Sequence, residues 1–300
     1  MTRAVGAAVL VVNPAAGTAE DESVETARAA LDSAGGLVEV VRPGGVPEFR
    51  GAVLDAAAGG ARVVVAGGDG TIHLAVQALW DAGLASDTPV GLVPLGTGND
   101  LATGLGLPMD PGEAALACVH GVPRTLDLVL MSTGGVVVNA SHAGLGASAA
   151  ERSAGLKDKL GPLAYPVGAL IAGVREAAWT LEVVLDGDEV HAGDTLMVGI
   201  ANGPSIGGGT RIVPPALPDD GLLDVIVVTA VGPAARLAFG AALRNEAHLD
   251  RPDVLHLRGR QVTISGDPVV HDVDGELTEE LATCTYTVQP GAWQLLRRSA

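Results

Sequence analysis

An apolar run, Val63-Val64-Val65-Ala66, stops at Gly67-Gly68-Asp69-Gly70-Thr71, and Ile72, Leu74, Ala75, Val76, Ala78 and Leu79 follow at helical spacing. Glycines there let the backbone turn sharply and bring its N–H groups close to an anion, and a helix N-terminus next to them carries partial positive charge. The chemistry is that of a phosphate site. Asp69 would repel a phosphate unless a cation lay between them, so the reading is of a nucleotide bound with Mg²⁺.

The same punctuation recurs twice. Residues 90–93 form an apolar run that ends in Pro94-Leu95-Gly96-Thr97-Gly98-Asn99-Asp100, with a helix-compatible start at Leu101, and residues 7–12 end in Asn13-Pro14-Ala15-Ala16-Gly17. Loops closing successive parallel strands face one crevice of an open α/β sheet, where ligands bind. The candidate nucleotide contacts are therefore Asn13, Gly67, Gly68, Gly70, Thr71, Gly96, Thr97, Gly98, Asn99 and Asp100.

These loops resemble the diacylglycerol kinase catalytic domain found in bacterial soluble lipid kinases and in sphingosine and ceramide kinases. Ala201-Asn202-Gly203, Gly207-Gly208-Gly209, the stretch from Pro215 to Asp224 and Asp274-Gly275-Glu276 are similar to later blocks of the same family, so the likeness covers nearly the whole chain. It implies an ATP-dependent kinase with two domains and its active site in the cleft between them. The acceptor it implies is a lipid hydroxyl, diacylglycerol by default, giving phosphatidic acid. A sphingoid base, another small-molecule hydroxyl and a catalytically silent nucleotide-binding regulator are the alternatives. Glu276 with Asp274 is implied as base and electrostatic partner, with Asp69 serving the Mg²⁺-nucleotide. A second cation is implied at the carboxylate of Asp220 and the backbone oxygens of Leu217 and Leu222. After Gly17 the chain runs Thr18-Ala19-Glu20-Asp21-Glu22, where many members carry basic residues for the triphosphate; near Val40 to Arg42, where many carry a threonine, Arg42 or backbone contacts are left to substitute.

The elements that must position these groups change character once along the chain. Strand-like runs at 7–12, 37–41, 62–66 and 90–93 alternate with helical stretches at 23–33, 46–57 and after Asp69, which predicts a Rossmann-like parallel sheet over residues 1–128. Short strands at 126–131, 136–140, 181–185, 190–191, 195–201, 223–229, 254–257 and 261–265 predict a mainly antiparallel β-sandwich over 129–300, with helices near 163–175 and 233–243 and the final residues able to return to the first domain. Asp186-Gly187 marks a type I′ hairpin.

Aromatic residues are only 2% of the 300, against 48% hydrophobic overall, so both cores must be aliphatic. A net charge of −17 argues against nucleic acid and against docking on anionic lipid headgroups, leaving a neutral lipid met in transient membrane contact. No stretch approaches the roughly 20 apolar residues of a membrane span. The start of the chain lacks the regions of a signal peptide. Cys118 and Cys284 lack metal-ligand spacing and suit a reducing cytoplasm, as buried small hydrophobes. Monomer and homodimer both remain open. Two competing motifs are weak: Gly203-Pro204-Ser205-Ile206-Gly207 has the form of a hydrolase elbow but is followed by glycines instead of a helix, and His271-Asp272 reads as loop rather than as metal ligands.

Overall fold

The computed structural model describes residues 7–13, 21–36, 38–144 and 178–298. It divides into two compact units, the first comprising residues 1–126 with 291–300 and the second residues 127–290. The helix expected near 163–175 lies outside the described residues.

In the first unit, β1 (Ala8–Val12), α1 (Asp21–Ser33), β2 (Val38–Val41), α2 (Val46–Ala58), β3 (Arg62–Gly67), α3 (Asp69–Asp81), β4 (Val90–Pro94), α4 (Asp100–Gly104) and α5 (Pro111–His120) follow in order. The pairings among β1, β2, β3 and β4 are all parallel: β1 lies between β2 and β3, and β3 pairs with β4 in register from Val63 opposite Val90 to Gly67 opposite Pro94. Short runs of Val and Ala buried on both faces suit such a sheet, which must be covered twice. Leu10, Val12, Val64, Ala66 and Val93 form one core with Val24, Ala27 and Leu31 of α1 and Ala115, Cys118 and Val119 of α5. Helices α2 and α3 pack on each other and on β1 and β3. Helix α5 was not anticipated, although its start is written in the sequence: Asp110 caps it by accepting the Glu113 N–H at 2.9 Å, and Pro111 takes the first turn. Burial pushes the Cys118 thiol up to about 12, as expected of a thiol that packs and does not react.

The second unit is antiparallel. It is built from β5 (Val122–Met131), β6 (Val136–Val137), β7 (Ala140–Gly144), β8 (Trp179–Leu185), β9 (Asp188–Thr195), β10 (Met197–Ala201), β11 (Leu223–Val228), α6 (Pro233–Arg244), β12 (Val254–Gly259), β13 (Gln261–Val273) and β14 (Glu276–Arg297). The strand order β12-β11-β10-β7-β13-β14 carries β8 and β9 as a further hairpin on β13. Its turn is Asp186-Gly187 with φ of 51° and 95°, the left-handed pair a type I′ turn requires. Alternation along β11 explains the two cores here. Leu223, Val225 and Val227 join a core with Val183, Val262 and Ile264, whereas Ile226 and Val228 face Phe239 and Leu243 of α6. Strand β14 is far longer than any run the sequence suggested; its last part belongs to the first unit, where Leu295 pairs in parallel with Val90. Among the described residues no helix is long and apolar enough to cross a membrane.

One buried polar chain interrupts the aliphatic core of the second unit. His271 Nδ1 lies 2.6 Å from the Tyr286 hydroxyl, which lies 3.0 Å from Ser141 Oγ. Burial, with His142 nearby, pushes His271 down to about 4. The unfolded chain, with an ordinary histidine near 6.5, therefore takes up the proton first as pH falls. Stability from the neutral ring is fully present above about pH 6.5 and is lost on descending toward 4. In urea melts at pH 7 and pH 5, the wild type should lose on the order of 1 to 2 kcal/mol more than His271→Gln. Equal losses would show that this ring does not set the acid limit.

Candidate active site

Glycine at two positions of the first unit's loops is a matter of space. A Cβ at Gly67 would fall 2.1 Å from Thr71 Oγ1, and one at Gly96 would fall 2.5 Å from the Cα of Gly68. The two glycine-rich loops thus touch backbone to backbone, and Leu95 N–H donates to Gly67 O at 2.9 Å. The third loop begins on the same edge, where Asn13 N–H donates to Ala66 O at 2.9 Å. Asn99 sits at φ 54°, a left-handed conformation that asparagine tolerates, and its amide donates to Gly96 O at 2.5 Å.

Asp69, at the start of α3, fastens these loops together. Its two carboxylate oxygens accept the N–H groups of Asp100 at 3.0 Å and Leu101 at 3.1 Å, so it caps α4 from a distance of some 30 residues in sequence. The resemblance gives this carboxylate to a Mg²⁺-nucleotide; in the structure its two oxygens also hold the start of α4. Two polar atoms in the same corner are buried without a hydrogen-bond partner, Thr71 Oγ1 and Asn99 Oδ1. Buried polar groups are rarely left unmet, so a bound group is expected to complete them. The Thr71 hydroxyl, with the N-terminus of a 13-residue helix, fits a phosphate group, and the Asn99 oxygen, an acceptor, fits a donor such as a ribose hydroxyl. Gly68, Gly70 and Gly98 are half-buried around them, Asp100 is buried and Thr97 is exposed. Arg42 does not stand ready as a free cation, since its guanidinium pairs with Asp21 at 2.9 Å.

The second unit gathers a different set. Asp274 and Gly275, at φ 50° and 95°, form the corner between β13 and β14. The Asp274 carboxylate accepts three backbone N–H groups: Val138 at 2.7 Å, Asn139 at 2.9 Å and Ala140 at 2.9 Å. A carboxylate so occupied locks the corner, beside the part of electrostatic partner to Glu276 that the resemblance implies for it. Glu276 follows directly, exposed, its side chain with no hydrogen bond to a described residue, which leaves the carboxylate available to a hydroxyl.

A continuous set of bonds links this corner to the turn at 217–222. Asn202 donates from Nδ2 to Val138 O at 2.8 Å and to Asp127 O at 3.0 Å. Asp127 in turn donates its N–H to Pro218 O at 2.7 Å and accepts the Gly221 N–H at 2.6 Å. Asn139 donates to Ser205 O at 2.8 Å, and a Cβ at Gly203 would fall 2.1 Å from Asn139 Oδ1. Asp127 and Asn139 were missed in the sequence because nothing in their neighbourhood distinguishes them from other polar residues at strand ends. Ser205 is buried and followed by a tight bridge between Ile206 and Thr210, with no helix, so the hydrolase elbow is absent. Asp272 accepts the Gly275 N–H at 2.8 Å, and His271 is in the core, so the two share no metal site.

The implied second cation does not fit its residues as they stand. Asp220 Oδ1 accepts the Leu222 N–H at 3.1 Å, and its Oδ2 is ion-paired with Arg258. A divalent ion at Asp220 would have to displace a guanidinium. Among the described residues, no group of three or more His, Cys, Asp and Glu side chains is arranged to hold a metal.

Comparison with known proteins agrees with this architecture. The diacylglycerol kinase catalytic domain matches residues 7–131, and the YegS C-terminal NAD kinase beta sandwich-like domain matches residues 139–297. A protein of Pseudomonas putida KT2440 named probable lipid kinase YegS-like is 33% identical over 258 residues, covering 84% of this chain and 85% of its own. Another of that name from Pseudomonas fluorescens Pf-5 is 35% identical over 247 residues, 79% of this chain and 77% of its own. The solved structure of a diacylglycerol kinase from Bacillus anthracis Sterne shares the fold with a TM-score of 0.77 at 21% identity, covering 97% of each chain. With both domains matched in order and the glycine loops and the Asp-Gly-Glu corner in place, the chain belongs to the YegS-like lipid kinases built on a diacylglycerol kinase catalytic domain.

Proposed function

We propose that this kinase transfers the γ-phosphoryl group of ATP to the hydroxyl of a neutral glycerolipid, diacylglycerol, yielding phosphatidic acid. The observation that carries the nucleotide half is the glycine-lined corner at the N-terminus of α3, with the Thr71 hydroxyl and the Asn99 amide oxygen buried and unpartnered. Phosphoryl transfer asks the protein mainly to position the phosphates and to neutralise their charge. Gly67, Gly68, Gly70 and Thr71 hold the phosphates, and Asn13, Gly96, Thr97, Gly98, Asn99 and Asp100 shape the rest of the nucleotide site. Mg²⁺ accompanies the ATP and supplies the charge neutralisation that a loop without basic residues lacks. Glu276 takes the proton of the acceptor hydroxyl, and Asp274 holds the corner from which it acts.

The lipid half rests on the relatives, named as lipid kinases, and on the net charge of −17, which disfavours an anionic headgroup. Incubation with γ-labelled ATP, Mg²⁺ and a bacterial lipid extract should place the label in a product that migrates with phosphatidic acid. Label in a sphingoid phosphate or another product would replace the acceptor, and label in no lipid at all would sink the reading.

A further inference from the structure

In the second unit, an arginine of the chain itself occupies the position where the resemblance implied a divalent cation. The register of β11 and β12 sets Asp224 directly opposite Arg258, and puts His256 two residues away on the same face. Arg258 Nε lies 3.3 Å from Asp224 Oδ1, and its terminal nitrogen pairs with Asp220 Oδ2. His256 Nε2 approaches the same Asp224 oxygen at 2.7 Å. Asp224 is only 1% exposed, and its other oxygen has no partner. A buried carboxylate needs a compensating charge, and its loss uncovers a large penalty; an ordinary surface pair is worth little. Asp220 sits in a turn already fixed by Asp127, so two acids of fixed position converge on one guanidinium.

We propose that Arg258 is the built-in counter-ion of Asp220 and Asp224, and that the 217–222 turn is thereby held without a divalent metal. Three features point the same way: the cross-strand register delivers the cation, Asp220 has both oxygens engaged, and Asp224 is buried on the arginine's side. The proposal stands apart from the identity of the acceptor lipid and from the nucleotide site.

Thermal melts of the full chain with Mg²⁺ at millimolar concentration or with EDTA test it, each compared with Asp220→Asn to subtract any ion bound elsewhere. The wild type and Arg258→Lys, which keeps the charge, should show no Mg²⁺-dependent rise beyond that of Asp220→Asn. Arg258→Met should melt lower in EDTA and regain about 2 °C or more with Mg²⁺, because both acids then lose the guanidinium and Asp220 is left with no cation. Adding Asp220→Asn to Arg258→Met should remove that recovery. A wild-type rise with Mg²⁺ that Asp220→Asn abolishes would overturn the proposal, since a metal would then be displacing the arginine. So would an Arg258→Met protein that folds but ignores Mg²⁺. If Arg258→Met does not fold, the wild type, Arg258→Lys and Asp220→Asn decide the matter by the first comparison.

Discussion

Asp69→Ala should leave a folded protein whose kcat/KM for ATP falls by about 10²-fold or more, the scale on which a displacement of about 1 Å in a positioning element acts. The reason lies in the two backbone N–H groups that the carboxylate holds, those of Asp100 and Leu101. Without them α4 loses its cap, at a cost of about 0.5 to 2 kcal/mol. The loop from Gly96 to Asp100, with Asn99 in its left-handed conformation, then loses its attachment to the glycine loop before α3. Asp69→Asn keeps one accepting oxygen and should keep a large part of the activity if position is what matters. If Asp69 serves a cation instead, Asp69→Asn should be as weak as Asp69→Ala, and both should need more Mg²⁺. Unchanged kcat/KM in a folded Asp69→Ala protein would separate the loop from catalysis.

That prediction marks the limit of what the residues reveal by themselves. The glycine loops were legible because the space at these positions excludes a side chain: the 2.1 Å clash with the Thr71 side chain at Gly67 and the 2.5 Å clash with backbone at Gly96 are constraints that must appear in the sequence. The parallel sheet was legible through its Val-rich runs, and the β8–β9 hairpin through Asp186-Gly187. Partners distant in sequence were not. Asp69 reaching Asp100, Asp127 reaching Gly221 and Arg258 reaching Asp220 depend on which strands become neighbours, and local spacing carries no trace of that. Asp274 illustrates the ambiguity best. Its Asp-Gly pairing fitted both a catalytic motif and a hairpin corner; the structure makes it the corner, and that corner is what places Glu276. Strand β14 was hidden for a different reason. Pro290-Gly291, with Gly291 at φ 64°, reads as a turn, yet it falls at the boundary of the two units within the strand.

Glu276→Gln should lower turnover by roughly 10² to 10⁴-fold, the usual contribution of a general base, while nucleotide affinity stays near that of the wild type. The amide keeps the size of the side chain and some hydrogen bonding but has no basic oxygen. Glu276 is exposed, so neither stability nor the fold of the corner should change. Asp274→Asn should behave differently, because the three N–H groups of Val138, Asn139 and Ala140 would meet an amide with one accepting oxygen. A loss of stability on the order of 1 to 3 kcal/mol is expected there, together with slower turnover as Glu276 shifts. If Asp274 acts through Glu276, as proposed, the double variant should be hardly slower than Glu276→Gln alone. Two independent, multiplying losses would instead make Asp274 a second group at the reacting hydroxyl. Near-normal turnover in Glu276→Gln would move the proton to another acceptor, and a change confined to KM for ATP would assign Glu276 to the nucleotide.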